Sequence, residues 1–299
     1  MNRLTGQIAL IINADDLGWT EGVNEGILRA GREGIVTSAT LAANMPAAEA
    51  AVEAVKALVA EPSPVGRSLG IGVHLNACQG PALSALGRET LAGGDGIMRH
   101  TAGSVLRSCL LRPRRTLPAI RAEFQAQIEW CLRRGLTPTH ADSHRHLHAW
   151  PAVFRLVTDL CREYDIPFVR RFREPVGGHH RGWCPLPPAK LKQRLASQAM
   201  NLLGRRCERI APDRWATRGT LGVAHTGGIT VAFLLAAIDS LEAGATEIMV
   251  HPGYAHGLSR AETRLLACRE AEMRALCDER VRRRIEERKV VLTHYGELR

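Results

Sequence analysis

The sequence predicts an α/β fold in which a parallel sheet curves into a TIM-barrel-like (β/α) barrel with helices outside. Short apolar runs of strand length alternate with stretches of helix length, which is typical of parallel sheets. Polar residues capable of chemistry follow the ends of several separate strands, and this favours a barrel over an open sheet. We expect a single domain over residues 1–299, with seven strands or an irregular closure.

The predicted strands begin with residues 7–14, a continuous apolar run of the kind that is buried on both faces of a parallel sheet. Further strands are predicted at residues 35–44, 69–75, 137–142, 166–171, 247–251 and 289–294. With the helices between them, these strands form six or seven β/α units without a repeat of fixed period.

The best delimited helix is residues 118–134, which starts at a proline and is followed by Gly135. Other helices are predicted at residues 20–31, 47–59, 152–164, 231–242 and 261–279. Residues 79–113 and 175–218 fit the alternation less well. We interpret both as insertions in loops over the active-site face, where substrate selectivity would lie.

The composition excludes some classes of protein. Aromatic residues make up only 4% of the chain, which argues against nucleic-acid binding by base stacking. The net charge of +10 permits attraction to phosphates or to an anionic membrane surface, but the arginines form short clusters and no basic tail. We therefore expect most of these clusters to be solvated surface.

Cysteine usage and hydropathy indicate the compartment. Eight cysteines occur without any C-x-x-C pair, and several lie within apolar helical patterns, as expected for free thiols in a reducing environment. The sequence shows no signal peptide and no apolar run of about 18 residues that would span a bilayer. We expect a soluble, cytoplasmic protein.

Four polar clusters lie at or just after predicted strands, and parallel strands bring such ends to one edge of the sheet. The clusters are Asp15-Asp16, His74, the alternating series from His140 to His148, and His251 before Pro252-Gly253. Taken alone, the aspartate pair suits a helix cap, and His74 or His251 suits a core position. Four histidines within nine residues are harder to explain without a metal or catalytic role.

Imidazole and carboxylate groups together are common ligands of Zn²⁺ and of other divalent ions in open catalytic sites. Three protein ligands would leave room for a water and a substrate oxygen. Adjacent aspartates on an extended segment point to different sides, so one can bind metal while the other accepts a proton from water.

Four segments resemble, in order, the motifs of the YdjC/ChbG carbohydrate deacetylases, and the similarity runs from about residue 7 to the C-terminus. The segments are residues 13–18 (Asn-Ala-Asp-Asp-Leu-Gly), 72–75 (Gly-Val-His-Leu), 139–148 (Thr-His-Ala-Asp-Ser-His-Arg-His-Leu-His) and 251–254 (His-Pro-Gly-Tyr). The resemblance implies a TIM-barrel-like fold and removal of an N-acetyl group from an amino sugar.

The resemblance also implies roles for individual residues. By position, Asp16, His74 and His144 match the metal ligands, Asp15 matches the general base and His251 the general acid. The remaining matched residues are implied to line the pocket or to orient the ligands, and they are His140, Asp142, His146, His148 and Arg170. The expected cofactor is one divalent ion, Mg²⁺ or Zn²⁺, with Mn²⁺ or Co²⁺ as alternatives.

The substrate and partners are less defined. The acetylated sugar could belong to an oligosaccharide or a glycolipid, since one branch of the family is associated with glycosylated hopanoid lipids. For such a substrate we expect a peripheral approach to the membrane. Family habit suggests a homodimer, and no nucleic-acid partner is expected.

Two alternatives to deacetylation stay open at this point. A metal-dependent sugar isomerase or phosphoesterase could use the same ligands on a similar barrel, although no Gly-rich phosphate loop opens a helix. A basic protein that binds nucleic acid or a membrane surface would leave the Asp/His constellation unexplained.

Overall fold

The computed structural model of the protein describes residues 6–60, 68–174, 191–260 and 263–298. A parallel sheet lies at its centre, in the strand order β7-β6-β3-β2-β1-β9-β8. These strands are β1 (Ile8–Leu17), β2 (Ser38–Leu41), β3 (Gly70–Leu75), β6 (His140–Ser143), β7 (Phe168–Val169), β8 (Thr220–Leu221) and β9 (Gly244–Val250). A short strand, β10 (Val291–Leu292), also pairs in parallel with the start of β1. A separate antiparallel hairpin consists of β4 (Gln79–Pro81) and β5 (Ile97–Arg99).

Helices surround this sheet, and the longest are α5 and α7. In chain order they are α1 (Glu21–Arg32), α2 (Ala48–Ala60), α3 (Ala85–Thr90), α4 (Ala102–Leu111), α5 (Pro113–Arg133), α6 (Pro151–Glu163), α7 (Leu191–Ile210), α8 (Val231–Asp239), α9 (Ala267–Leu276) and α10 (Glu279–Glu287). Short 3₁₀ turns occur at His144–Ala149 and Tyr295–Leu298. The predicted TIM-barrel-like α/β fold is therefore confirmed, and its sheet is a half-barrel of seven parallel strands with helices outside.

Strand β1 is the centre of the core. Apart from Ile8 at its start, its residues are buried, and it pairs with β9 along one edge and with β2 and β10 along the other. Burial on both faces explains why the sequence here is continuously apolar rather than alternating. Helix α1 follows at once, and the Thr20 side chain accepts a hydrogen bond from the backbone N–H of Val23 to cap it.

Three elements illustrate how the structure differs from the sequence prediction. Helix α5 begins at Pro113 rather than at residue 118, because Pro113 occupies the first turn, where no backbone N–H is needed. The predicted helix at residues 261–279 is interrupted at Cys277-Asp278, since the Asp278 side chain caps α10; residues 261–262 lie outside the described part. Strand β8 was not predicted, because its two residues form no apolar run.

The two regions interpreted as insertions contain regular structure of their own. Residues 79–113 form the β4–β5 hairpin, α3 and α4, while residues 191–218 contain α7. Residues 175–190 lie outside the described residues. No described helix is both long enough and apolar enough to cross a membrane. Six described cysteines are free thiols, namely Cys78, Cys109, Cys131, Cys161, Cys207 and Cys277, whereas Cys184 lies outside the described residues.

Candidate metal centre and active site

The carboxyl ends of β1, β3, β6 and β9 meet at one cavity of about 730 Å³. The floor of the cavity is polar, as expected from the polar residues that the sequence places at the strand ends. The floor residues are Asp15, Asp16, His74, His144, His146 and His251. The four clusters of the sequence therefore contribute to a common site, and the inner faces of α4 and α7 form part of its wall.

A bulge at the end of β1 directs both aspartates toward this cavity. The pairing of β1 with β2 shifts between Ala14 and Leu17, and Asp16 adopts a left-handed backbone conformation with φ of 69°. Such a conformation is unfavourable for a residue with a Cβ atom and is concentrated at functional sites. Because of the bulge, the neighbouring Asp15 and Asp16 side chains are both buried at the cavity but contact different residues.

Asp16, His74 and His144 form a group suited to a metal ion. The Oδ1 atom of Asp16 lies 3.4 Å from Nε2 of His74 and 3.4 Å from Nδ1 of His144. Ligands about 2.1 Å from a tetrahedral ion lie roughly 3.4 Å from one another, so these three atoms fit around one divalent cation. Asp16 and His74 are buried and His144 is partly buried.

The other ring nitrogen of each histidine is already hydrogen-bonded. Strand register places His74 opposite Asp142, and Nδ1–H of His74 donates to Asp142 Oδ1 over 2.7 Å. Nε2–H of His144 donates to Gln79 Oε1 over 3.0 Å. These bonds direct His74 Nε2 and His144 Nδ1 toward Asp16, so both nitrogens would bind a metal ion once the ion displaces the proton from His74 Nε2.

A second group of residues, Asp15, His74 and Asp142, also lies close enough together to hold a metal ion, but its charges are already paired. Burial alone would lower the pKa of His74, but the nearby Asp142 and Asp16 carboxylates raise it to about 10. The Asp15 and Asp142 carboxylates are already paired with Arg170, and Asp142 also accepts from His74. Arg170 holds both oxygens of Asp15, whereas Arg269 holds only Oδ2 of Asp16, so Oδ1 of Asp16 has the capacity to take a metal ion.

Arg170 ties three strands together inside the barrel. Its guanidinium donates to both carboxylate oxygens of Asp15 over 2.6 and 2.7 Å, and it contacts Asp142 and Glu247 over 2.8 Å. Burial opposes ionisation of Asp15, but Arg170 outweighs it and holds the pKa of that carboxyl well below its usual range. Asn13 also donates to Asp15 Oδ1 over 2.9 Å. Asp15 is thus ionised and held in one orientation.

His251 follows β9 at the edge of the same cavity and is 8% exposed. Its backbone N–H donates to Glu272 Oε2 over 2.8 Å, which fixes the position of the residue. Its ring atom Nδ1 has no hydrogen-bond partner among the described residues. Burial lowers the pKa of His251 to about 4, so the free imidazole is neutral near pH 7. A neutral ring with a free buried nitrogen is suited to exchange a proton with a substrate.

The remaining histidines of the 140–148 series occupy different environments. His146 lines the cavity in a left-handed conformation, with φ of 56°. His140 stacks on Tyr295 with ring centroids 3.9 Å apart, and its ring packs over Gly72, where any Cβ atom would collide with it. His148 bonds Ser143 Oγ through Nδ1 over 2.6 Å. The structure thus places His146 at the pocket and His140 and His148 behind it.

Several residues at the site were not singled out from the sequence. Gln79 holds His144, and Thr40 donates to Asp142 Oδ2 over 3.1 Å. Arg269 donates to Asp16 Oδ2 over 2.5 Å from helix α9. Among them, Glu247 was the one that the sequence could have indicated. It is a carboxylate within the buried strand β9, and a buried charge requires a partner of opposite charge.

The model of the YdjC-like protein family matches residues 9–287. A carbohydrate deacetylase of Brevibacillus brevis is 30% identical over 97% of this chain and 99% of its own length. Two other carbohydrate deacetylases match in part. The one of Halalkalibacterium halodurans is 38% identical over 56% of this chain and 66% of its own length. The one of Geobacillus stearothermophilus is 42% identical over 52% of this chain and 57% of its own length. The matching segments thus span about three fifths of these two relatives.

A solved structure shares the fold. A protein of Enterococcus faecalis V583, described as a candidate cellobiose-phosphate cleavage protein, superposes with a TM-score of 0.71 at 24% identity, over 98% of this chain and 99% of that one. With the family match over most of its length, the chain belongs to the YdjC-like family.

Proposed function

We propose that the protein is a metal-dependent amide hydrolase that removes the N-acetyl group from an amino sugar and releases acetate. One observation carries the proposal: Asp16, His74 and His144 surround a point on the cavity floor, and Asp15 and His251 line the same cavity. The carbohydrate deacetylase relatives support the same reaction.

Asp16, His74 and His144 would hold one divalent ion, Mg²⁺ or Zn²⁺, with Mn²⁺ or Co²⁺ as alternatives. When bound, such an ion acidifies a water molecule and polarises the acetamide carbonyl. The protein's contribution is to fix the ligands. Asp142 and Gln79 orient the two rings, and Arg269 holds the second oxygen of Asp16.

Asp15 is the proposed general base. Its carboxylate is ionised at neutral pH because Arg170 and Asn13 stabilise the charge, so it is ready to accept a proton from the attacking water. The bidentate contact with Arg170 fixes the direction in which that carboxylate faces, which keeps the proton transfer in line with attack on the carbonyl.

His251 is the proposed general acid. The departing amine needs a proton when the carbon–nitrogen bond breaks, and Nδ1 of His251 is a buried ring nitrogen with no partner in the described residues. The ring is neutral in the free protein, so it would take up the proton that Asp15 removes from the water and pass it to the departing nitrogen, which is more basic than this buried imidazole. Acetate and a free amino sugar are the products.

The substrate is an N-acetylated amino sugar on an oligosaccharide or a glycolipid. The cavity wall supplied by α4 and α7 is largely apolar, with Leu106, Met200 and Leu203 facing it. This wall suits an apolar group attached to the sugar, and for a glycolipid substrate we propose a peripheral approach to the membrane. His146 would line the pocket, while His140 and His148 would support the strand and turn that carry the ligands.

We further propose that the reaction takes place in the cytoplasm, since unpaired buried thiols such as Cys78 and Cys161 suit a reducing compartment. A homodimer stays a prediction, which light scattering on the purified protein can test. The relatives give no support to the isomerase, phosphoesterase or nucleic-acid-binding alternatives.

Substitution Asp15→Asn tests the mechanism. It keeps the size of the side chain but removes the base, so acetate release should fall by at least about 10²-fold while the bound metal per chain is unchanged. Asp159→Asn is the matched control, because Asp159 lies on the outer face of α6 and is 62% exposed. If the Asp15→Asn variant released acetate about as fast as the Asp159→Asn control, Asp15 would not be the general base.

A further inference from the structure

The half-barrel has an open side between strands β7 and β8. These two strands are the ends of the strand order, and no backbone ladder joins them to each other within the described residues. Each is only two residues long, so the chain around them must satisfy its backbone N–H and C=O groups by other means. The side chains that cross this side therefore determine how the half-barrel is closed.

Glu174 crosses the open side beyond the carboxyl ends of both strands. Its Oε1 atom accepts a hydrogen bond from the backbone N–H of Gly222 over 2.8 Å, and its Oε2 atom accepts one from the backbone N–H of Ala224 over 2.9 Å. Ser197 Oγ of α7 also donates to Oε2, over 2.5 Å. Glu174 is buried, and no cation pairs with it within the described residues. One carboxylate thus connects the chain after β7, the chain after β8 and helix α7.

The backbone of Glu174 is fixed by helix α7. Its N–H donates to Asn201 Oδ1 over 2.9 Å, and Asn201 Nδ2 donates to its carbonyl oxygen over 2.6 Å. These two bonds resemble the pair that opposite residues exchange in an antiparallel ladder. Gly204 of α7 lies against the carbonyl oxygen of Phe172, where a Cβ atom would collide with it. The helix and the chain after β7 are therefore in close contact, and Glu174 is held in one position.

The segment that Glu174 binds, residues 222–226, forms part of the wall of the active-site cavity. Val223 and Thr226 line the cavity, and so does Gln193 of α7, which donates to the carbonyl oxygen of Thr226 over 2.9 Å. Backbone hydrogen bonds within the segment shape it into two consecutive turns. The position of this wall therefore depends on its contacts with Glu174 and Gln193.

A carboxylate suits this place better than a neutral side chain. When ionised it accepts at both oxygens and donates at neither, so it satisfies two backbone N–H groups and a hydroxyl together. A glutamine of the same size has one acceptor oxygen, and its amide nitrogen would face a donor. Glu174 hydrogen-bonds none of the residues proposed as base, acid or metal ligand. Its influence on the reaction must therefore pass through the wall of the cavity.

We propose that Glu174 is a positioning residue for substrate binding, which closes the open side of the half-barrel and holds residues 222–226 against the substrate. The inference deepens the proposed function and rests on it, because the acetylated sugar is what this wall would contact. Contacts with such a wall act on the bound substrate and on the transition state alike, so their loss weakens binding without slowing the chemical step. The residue should therefore affect KM and not kcat.

Steady-state kinetics of acetate release separate this role from a general structural one. In Glu174→Gln, KM should rise about tenfold while kcat changes less than about twofold, because one N–H of the wall loses its acceptor. Metal affinity in a chelator competition should be unchanged. Glu208→Gln is the matched control, since Glu208 also links α7 to the chain after β7, through Arg171, but does not line the active-site cavity. The control should keep the wild-type KM.

Hydrogen–deuterium exchange supplies a second measurement that needs no substrate. The amides of Gly222 and Ala224 should exchange faster in Glu174→Gln than in the wild type, whereas those of β1 should not change. The positioning role is overturned if KM in Glu174→Gln equals that of the wild type, if exchange in residues 222–226 is unchanged, or if metal affinity falls together with KM. No acetate release from the wild type would instead overturn the proposed reaction, and the exchange result would decide independently whether Glu174 holds the wall.

Discussion

Arg170 is the buried cation on which the geometry of the proposed base depends. Its side chain is fully buried and faces carboxylates from three strands, Asp15 of β1, Asp142 of β6 and Glu247 of β9. Substitution Arg170→Met keeps much of the volume but removes the charge and every donor. Three buried carboxylates would then lose their common partner.

The magnitude follows from that arrangement. Removal of one partner of a buried ion pair costs about 3–5 kcal/mol, because the remaining charge stays desolvated. For a domain of this size, such a loss in the free energy of unfolding lowers Tm by roughly 10 °C. Acetate release should fall by about 10²–10⁴-fold, because Asp15 no longer faces the water in a fixed orientation.

Calorimetry of the metal-loaded protein and an acetate assay measure both effects. Arg170→Lys is the informative companion, since it restores one positive charge without the planar fork that binds both oxygens of Asp15. We expect this variant to recover part of the stability and little of the activity. If Arg170→Met melted within about 2 °C of the wild type and kept its activity, the reasoning on Asp15 would be refuted.

Three further predictions concern two residues of the site and Glu174, a buried carboxylate outside it that accepts hydrogen bonds from Ser197 Oγ and from the backbone N–H groups of Gly222 and Ala224. His251→Ala should reduce acetate release about 10²-fold or more without changing the metal content measured by elemental analysis; an equal loss of metal would assign His251 to the ligands. Gln79→Ala should weaken metal binding about tenfold in a chelator competition, whereas Gln125→Ala on the outside of α5 should not. Burial raises the pKa of Glu174 above 4.5, so the folded state holds more protons than the unfolded state just above that pH, and the free energy of unfolding falls as pH rises through this window. Glu174→Gln should flatten that fall in denaturant titrations at pH 5 and pH 8, and an unchanged slope would contradict the assignment.

The strands most accurately predicted from the sequence were those with continuous apolar runs. Residues 69–75 correspond to β3 within one residue, and residues 7–14 cover most of β1, because both strands are buried and consist mainly of apolar residues. Strand β8 could not be found in this way. It is two residues long, and its place in the sheet depends on pairing with β9 rather than on its own sequence.

The proximity of the site residues was predictable because the carboxyl ends of parallel strands lie at one edge of the sheet. The four motifs then indicated which side chains at those ends belong to the site. Partners that reach the site from elsewhere were not predictable. Arg269 binds Asp16 across 253 residues of sequence, and Gln79 approaches His144 from a hairpin in a region interpreted only as an insertion. Nothing local to either residue indicates such a contact, since it depends on how distant elements pack.

The measurement that tests the central claim most directly is acetate release by the protein stripped of metal and then reloaded. The substrates should be N-acetylated sugars that are free, oligomeric or lipid-linked, and wild type should be compared with His74→Ala. We predict that reloading restores release from at least one substrate in the wild type and in no case in His74→Ala. Release that is indifferent to metal, or none from folded and metal-loaded protein, would contradict the account.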